Sequence, residues 1–361
     1  MALWELDEFQ GPRFLGFVRN VPAPEPFVGQ QWLPNQTTFD LEFEYIKGVN
    51  DRPVMAHVMG WDSEAPIDGR PPLGERVSGE LPPIKRKAKV GEKEIIRFLS
   101  PRAGTPDRQS AIDSVYRLTG RLVESIQARV EWLRIQALSE DKITYNEGGV
   151  IFEFDYGIDP AFQWNYDTAQ DGAAASTGTG GVAWNLPATA SPIDDLTKHC
   201  NAMETKTGYR PATIVMSRKA LNYLLQSAEI KGLIRPAGAP DSILTQAEVN
   251  NVFALYGLPT IQTYDVKVRS ENADGTASDV RPLAENKAFL VPAGGVGNTL
   301  WGPTAESRPL LGTSLASSAP GIYAVTYGKE EPPSEWVKAV AVAFPSMPDA
   351  HLLGQATLWT P

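Results

Sequence analysis

Across 361 residues the chain carries one cysteine, Cys200, and three histidines, His57, His199 and His351. A single thiol excludes an intrachain disulfide framework, and histidines this scattered offer no metal-ligand spacing. No stretch approaches the roughly 18 uncharged apolar residues of a membrane-spanning helix. The start, MALWELDEFQGPRFLGF, lacks the basic segment and apolar core of a secretion signal, so the chain reads as soluble, without a membrane partner. Positive charge is also short: 33 Lys and Arg stand against 43 Asp and Glu, a net charge of −10. An acidic chain repels phosphate, which argues against a nucleic-acid binder working by general electrostatics.

Chemistry-bearing motifs are missing as well. There is no G-x-x-x-x-G-K-[ST] loop; Gly294-Gly295-Val296-Gly297 has no following lysine and helix and reads as a turn. No G-x-S-x-G elbow and no H-E-x-x-H is present. His199 and Cys200 are neighbours on a helix, about 100° apart, and do not make a nucleophile–base pair, so Cys200 reads as inert. Asp194-Asp195 and Glu330-Glu331 read as helix-start and surface charge rather than as a paired acid and base. The expectation is no catalytic, cofactor-binding or metal-binding residue, and no cofactor.

What the chain has in quantity is proline and glycine, 30 and 31 residues, which points to long extended connections. Against that background one segment stands out as regular, residues 107–141. Ile112, Val115, Tyr116, Leu122, Val123, Ile126, Val130, Leu133 and Ala137 recur at the spacing of one helix face. Thr105 suits the cap, Pro106 the first helical position, and Asp107 the positive end of the dipole. The rod is roughly 50 Å long. Arg117, Arg121, Glu124, Glu131 and Arg134 are expected on the opposite, solvated side, interrupted by Trp132 and Ile135, so the rod has more than one packing partner. A long core helix of an enzyme would read the same way.

In chain order, residues 1–37 mix five prolines with Phe9, Phe14, Phe17, Phe27 and Trp32, and read as an arm lying across another surface, a neighbouring subunit included. Phe39, Leu41, Phe43 and Tyr45 alternate with acidic residues as a half-buried strand. Residues 52–97, broken by proline and glycine, read as a two-stranded excursion with legs at 54–58 and 84–90. Its Lys85, Arg86, Lys87 and Lys89 are followed at once by Glu92 and Glu94, and read as a solvated or intersubunit charge ladder rather than a nucleic-acid patch. Residues 142–156 form a hairpin turning at Gly148-Gly149, and the small, flexible run 171–181 marks a boundary. Helices at 191–208, 217–225 and 245–256 and strands at 212–216, 260–264, 266–269, 280–283 and 287–291 make a mixed region, closed by strands at 336–344 and 352–359.

This order of parts, with the segments IKGVNDRPVMAHV, RVEWLRIQALSEDKITYNEGGVIFEFDYG, AWNLPATASPIDDLTKHCNAM, RPATIVMSRKALNYLL and EWVKAVAVAFPSMPDAHLLGQATL, resembles the major capsid proteins of tailed bacteriophages, lambda type (major capsid protein E). The resemblance spans most of the chain and implies an α+β fold of the Hong Kong 97-like kind. It divides the chain into an N-terminal arm (1–37), an extended loop with its base strands (38–100), a peripheral domain with the spine helix (101–186), a central mixed α/β domain (187–334), and C-terminal strands returning to the peripheral domain (335–361). It implies a non-enzymatic shell subunit that assembles with itself as pentamers and hexamers in the host cytoplasm and resides in the virion, enclosing DNA without reading its sequence. A portal, a scaffold protein separate from this chain, and a decoration protein at threefold positions are the implied partners. Lysines in the extended loop give no basis for an isopeptide crosslink. Two other readings stay open on the residues alone: a cellular compartment of the encapsulin kind, and a soluble two-domain enzyme with the proline-rich stretch as a lid.

Overall fold

The computed structural model describes residues 11–47, 58, 76–90, 96, 106–147, 150–166, 182–235, 244–271, 276–307, 321–329 and 334–360. The region read as an arm opens with a helix, α1 (Gly11–Asn20). Phe14 and Val18, one turn apart, are buried with Val115 and Leu122 of the long helix α2 (Pro106–Ser139), and Phe17 meets Tyr116 edge-on at 4.8 Å. Pro22, Pro24 and Pro26 follow at once and prevent α1 from continuing. Residues 21–37 then lie on the chain's own body, where Trp32 and Leu33 are buried. Residues 1–10 fall outside the described residues.

A five-stranded sheet lies along α2. Its longest member is β15 (Ser334–Ser346), antiparallel to β4 (Pro83–Val90), β13 (Asn298–Trp301) and β14 (Tyr323–Lys329), with β1 (Asn35–Thr37) parallel to β13. Val337, Ala339, Ala341 and Ala343 alternate on the face turned to α2, and their small size lets helix and sheet approach closely. β4 corrects the excursion reading: residues 84–90 are an edge of this body sheet, because Ile84, Ala88 and Val90 alternate inward against α2. The excursion's stem is instead β2 (Glu42–Ile46) paired with β3 (Arg76–Glu80). Phe43 and Tyr45 face inward as expected, but Phe39 and Leu41 precede the strand and are 72% and 51% exposed. The outgoing leg at 54–58 lies outside the described residues except for Val58, which is exposed.

The second sheet has the order β7 (Gln163–Asn165), β16 (Gly354–Thr357), β12 (Lys287–Val291), β8 (Thr213–Met216), β9 (Thr260–Thr263). Its central strands are continuous apolar runs, the signature of burial on both faces. Ala288, Leu290, Ile214 and Met216 pack under the helices α3 (Pro192–Thr207), α4 (Arg218–Gln226), α5 (Ala228–Ile234) and α6 (Gln246–Leu255), while Val215, Phe289 and Val291 pack toward the end of α2. Helix limits follow their local chemistry. Ser217 accepts from Ala220 N, Thr245 and Glu248 form a reciprocal capping box, and Gly208 ends α3 at φ 83°. Ser191 makes no side-chain cap; the carboxylate of Glu229 accepts from Ile193 N in its place.

The hairpin β5 (Lys142–Glu147) and β6 (Val150–Asp155) follows the expectation, with its Gly-Gly turn outside the described residues. The strands read at 266–269 and 280–283 are β10 (Val268–Glu271) and β11 (Ala277–Val280), since Val266 and Leu283 serve the core instead. The closing strands divide between the sheets: β15 lies beside α2, whereas β16 joins the second sheet between β7 and β12. Consecutive segments of sequence therefore do not coincide with sheets, because β13 and β14, from within 187–334, pair with β15. At the junction, Gln355 of β16 donates from Nε2 to the carbonyls of Leu138 and Glu140 at 3.0 and 2.8 Å, satisfying groups that the end of α2 leaves open.

Candidate functional site

Beyond Val130, α2 runs between the two sheets and carries two charges inside. Glu131 and Arg134, expected on the solvated side, are both buried. Glu131 Oε1 accepts from the backbone N–H of Gly29 at 2.8 Å and from Tyr264 Oη at 3.3 Å, and Oε2 faces Arg134 Nη1 at 3.5 Å. Arg134 donates from Nε to Thr299 Oγ1 at 2.8 Å and from its guanidinium to Asn35 Oδ1, which also receives Trp301 Nε1–H at 2.9 Å. A Cβ at position 29 would stand 2.8 Å from Glu131 Oε2, so only glycine admits this approach. Burial pushes the Glu131 carboxyl up and the Arg134 guanidinium down, and each partner pulls the other part of the way back. The arm, the spine, β1, β13 and the segment after β9 thus meet on one ion pair. Sequence spacing could not reveal it, since Glu-x-x-Arg on a helix is also the pattern of a solvated pair.

The residues weighed for chemistry are built into the core under the second sheet. His199 stacks on Trp164 at 3.7 Å, bonds Tyr166 Oη through Nε2, and is pushed down to about 3 by burial, which keeps it neutral. The thiol of Cys200 is fully buried, and burial pushes it up to about 11, so it stays protonated. Asp195 stands in the first turn of α3 as expected, and is also buried: it accepts from Trp184 Nε1 at 3.2 Å, and burial raises its carboxyl to about 6. Asp194 stays exposed and pairs with Lys198 at 2.6 Å. Among the described residues no group of three or more His, Cys, Asp or Glu is placed to hold a metal. A groove of about 410 Å³ between α1, α2 and β13 is lined mainly by Val18, Val21, Phe27, Val130 and Trp301, and its only titratable residues are Arg19 and Arg134.

The surface is more distinctive. The outward face of the β2–β3 stem presents Glu42 directly opposite Glu80, with Glu44 paired to Arg76. Edge strand β4 presents Lys85, Arg86, Lys87 and Lys89 to solvent, with Arg86 bound to Glu271 at 2.7 Å and Lys87 over the Trp336 ring at 5.0 Å.

A model of the phage major capsid protein E family matches residues 14–358. The chain belongs to that family. Its fold is the Hong Kong 97-like α+β fold. The putative capsid protein of a prophage of Escherichia coli CFT073 superposes with a TM-score of 0.63 at 15% identity, covering 99% of each chain. A phage-related protein of Bordetella bronchiseptica RB50 gives 0.51 at 14%, covering 96% of each. No curated protein sequence matches. As a member of the capsid protein E family the chain is a structural component of the virion shell and not an enzyme, and no helix among its described residues is long and apolar enough to cross a membrane.

Proposed function

We propose that this chain is the principal shell-forming subunit of a phage or prophage head, closing as hexamers and pentamers into an icosahedral shell around double-stranded DNA. The observation that carries the reading is the antiparallel pairing of β2 with β3 into one two-stranded stem, between whose strands the connecting sequence runs. The inner face of the stem rests on the chain's own body, where Phe43 packs against Phe154 and Phe344, and its outer face, with Glu42, Glu44 and Glu80, is the one left for a neighbouring subunit. The α2 sheet forms the peripheral domain of the capsomer, and the second sheet with α3–α6 forms the domain at its centre. A separate scaffold protein, a portal and a decoration protein at threefold positions are the partners of this assembly. The acidic balance of the chain suits an inner wall along which DNA slides.

The test is electron microscopy of the chain expressed alone and with its neighbouring reading frames, followed by identification of the lumen content. Closed shells or capsomer rings with nuclease-protected DNA are expected. Dispersed monomers in both preparations, or a protein cargo in place of DNA, would overturn the proposal. Deleting residues 62–75, which leaves both stem strands intact, is expected to give a folded subunit that assembles poorly.

A further inference from the structure

Two grooves of opposite charge lie on different elements of this one chain. The first, about 350 Å³, is bounded by β4, α2 and β10 and carries Lys85, Arg86, Arg129 and Arg269 against a single carboxylate, Glu271. The second, about 940 Å³, runs along the stem and carries Asp40, Glu42, Glu44 and Glu80; among the described residues no cation lines it, and Arg76, beside it, binds Glu44. Phe39 and Leu41 stand exposed beside these carboxylates. Like charges directly opposite on paired strands, as at Glu42 and Glu80, destabilise a ribbon unless something cationic comes to them.

We propose that the stem of one subunit docks its acidic groove into the basic groove of the next, so that Glu42 and Glu80 meet Lys85 and Arg269 of a second copy. This rests on the shell reading and specifies the contact within it. Three observations select a second copy. Arg86 already holds a carboxylate, Glu271, at 2.7 Å, so the groove accepts this chemistry. Neither groove can pair with itself, since a two-fold contact would set like charges against each other; joining two different patches is the heterologous arrangement that closes rings. The other polyanion of a virion, nucleic acid, is disfavoured by the chain's net charge of −10, and Arg129, 5.2 Å from the centroids of both Trp132 and Tyr145, covers the rings on which a single strand would stack.

Charge reversal tests this on the full-length chain. Glu42→Lys with Glu80→Lys, and separately Lys85→Glu with Arg269→Glu, are each expected to leave the circular dichroism unchanged. Each is expected to raise the protein concentration for half-maximal assembly by about tenfold or more in analytical ultracentrifugation. The chain carrying all four substitutions restores complementarity and is expected to assemble at close to the wild-type concentration, whereas an equimolar mixture of the two double variants can alternate only in even-membered rings and is expected to recover hexamers. Wild-type assembly by either double variant, or failure of both the fourfold chain and the mixture, overturns the docking. Loss of binding to a labelled 30-base-pair duplex by the Lys85→Glu/Arg269→Glu shell, with assembly intact, overturns it in favour of DNA. A wild-type chain that never assembles counts instead against the shell reading.

Discussion

From Ile112 to Val130 the spine helix lives in two solvents, and from Glu131 to Ser139 it lives almost wholly in one. The first stretch turns Val115, Val123, Ile126 and Val130 to a wall of small side chains on β15 and leaves Arg117, Arg121 and Glu124 in water. In the second stretch Leu133, Ile135 and Leu138 are buried on differing sides of the same helix, together with Glu131, Arg134 and Ser139. The difference lies in the surroundings, since the second stretch is enclosed by the arm, both sheets and the hairpin. A buried pair such as Glu131–Arg134 adds little net stability compared with an apolar pair of the same volume, yet losing one member leaves the other charged and dry. The rear of the spine is thus held by partners that must all be present together, and the front by packing that degrades by increments.

Removing the carboxylate should show this most strongly. Glu131→Ala leaves Arg134 without its counter-ion and the N–H of Gly29 without its acceptor, and is expected to cost about 3–5 kcal/mol in urea unfolding. Ile126→Ala on the front half opens a cavity against the sheet and is expected to cost about 3 kcal/mol. If Glu131→Ala proved no worse than an exposed substitution, the contrast between the two stretches would fail. A pH series sharpens it. Because burial holds the Glu131 carboxyl above the ordinary carboxylate range, the folded chain binds that proton more tightly than the unfolded chain. The wild type should therefore lose stability, relative to Glu131→Gln, as pH rises from the usual carboxylate range through the raised value, and the gap should level off above it. The smallest effect belongs to Glu124→Ala, exposed on the front half, which is expected to stay within about 0.5 kcal/mol by the same assay.

The sequence made the front stretch legible because one side of it is wet: the seven apolar-face positions from Ile112 to Val130 are all buried or half-buried. Enclosure on every side erased the contrast that periodicity depends on, so Glu131 and Arg134 read as solvated and Trp132, which is half-buried, read no differently from Ile135, which is fully buried. Short strands were the other blind spot. β1, β7 and β13 are three or four residues long and acquire their identity from the neighbour they pair with, a property that no window of sequence contains. β4 shows the same limit from the other direction, since its basic, alternating run fits an excursion as well as a sheet edge until the length of β15 is known. The acidic and basic grooves were each half visible: the lysine cluster was noticed, but Arg129 and Arg269 come to it from elements 40 and more residues away.

The bonds from Gln355 to the last turn of α2 give the spine a built-in end. Mechanically the helix is a beam bedded for roughly 30 Å on β15 and α1 and clamped at its C-terminal end by the ion pair and by that glutamine. Since the clamp draws its grips from both sheets, a load received at one edge of the subunit is delivered to its whole body rather than absorbed by a hinge.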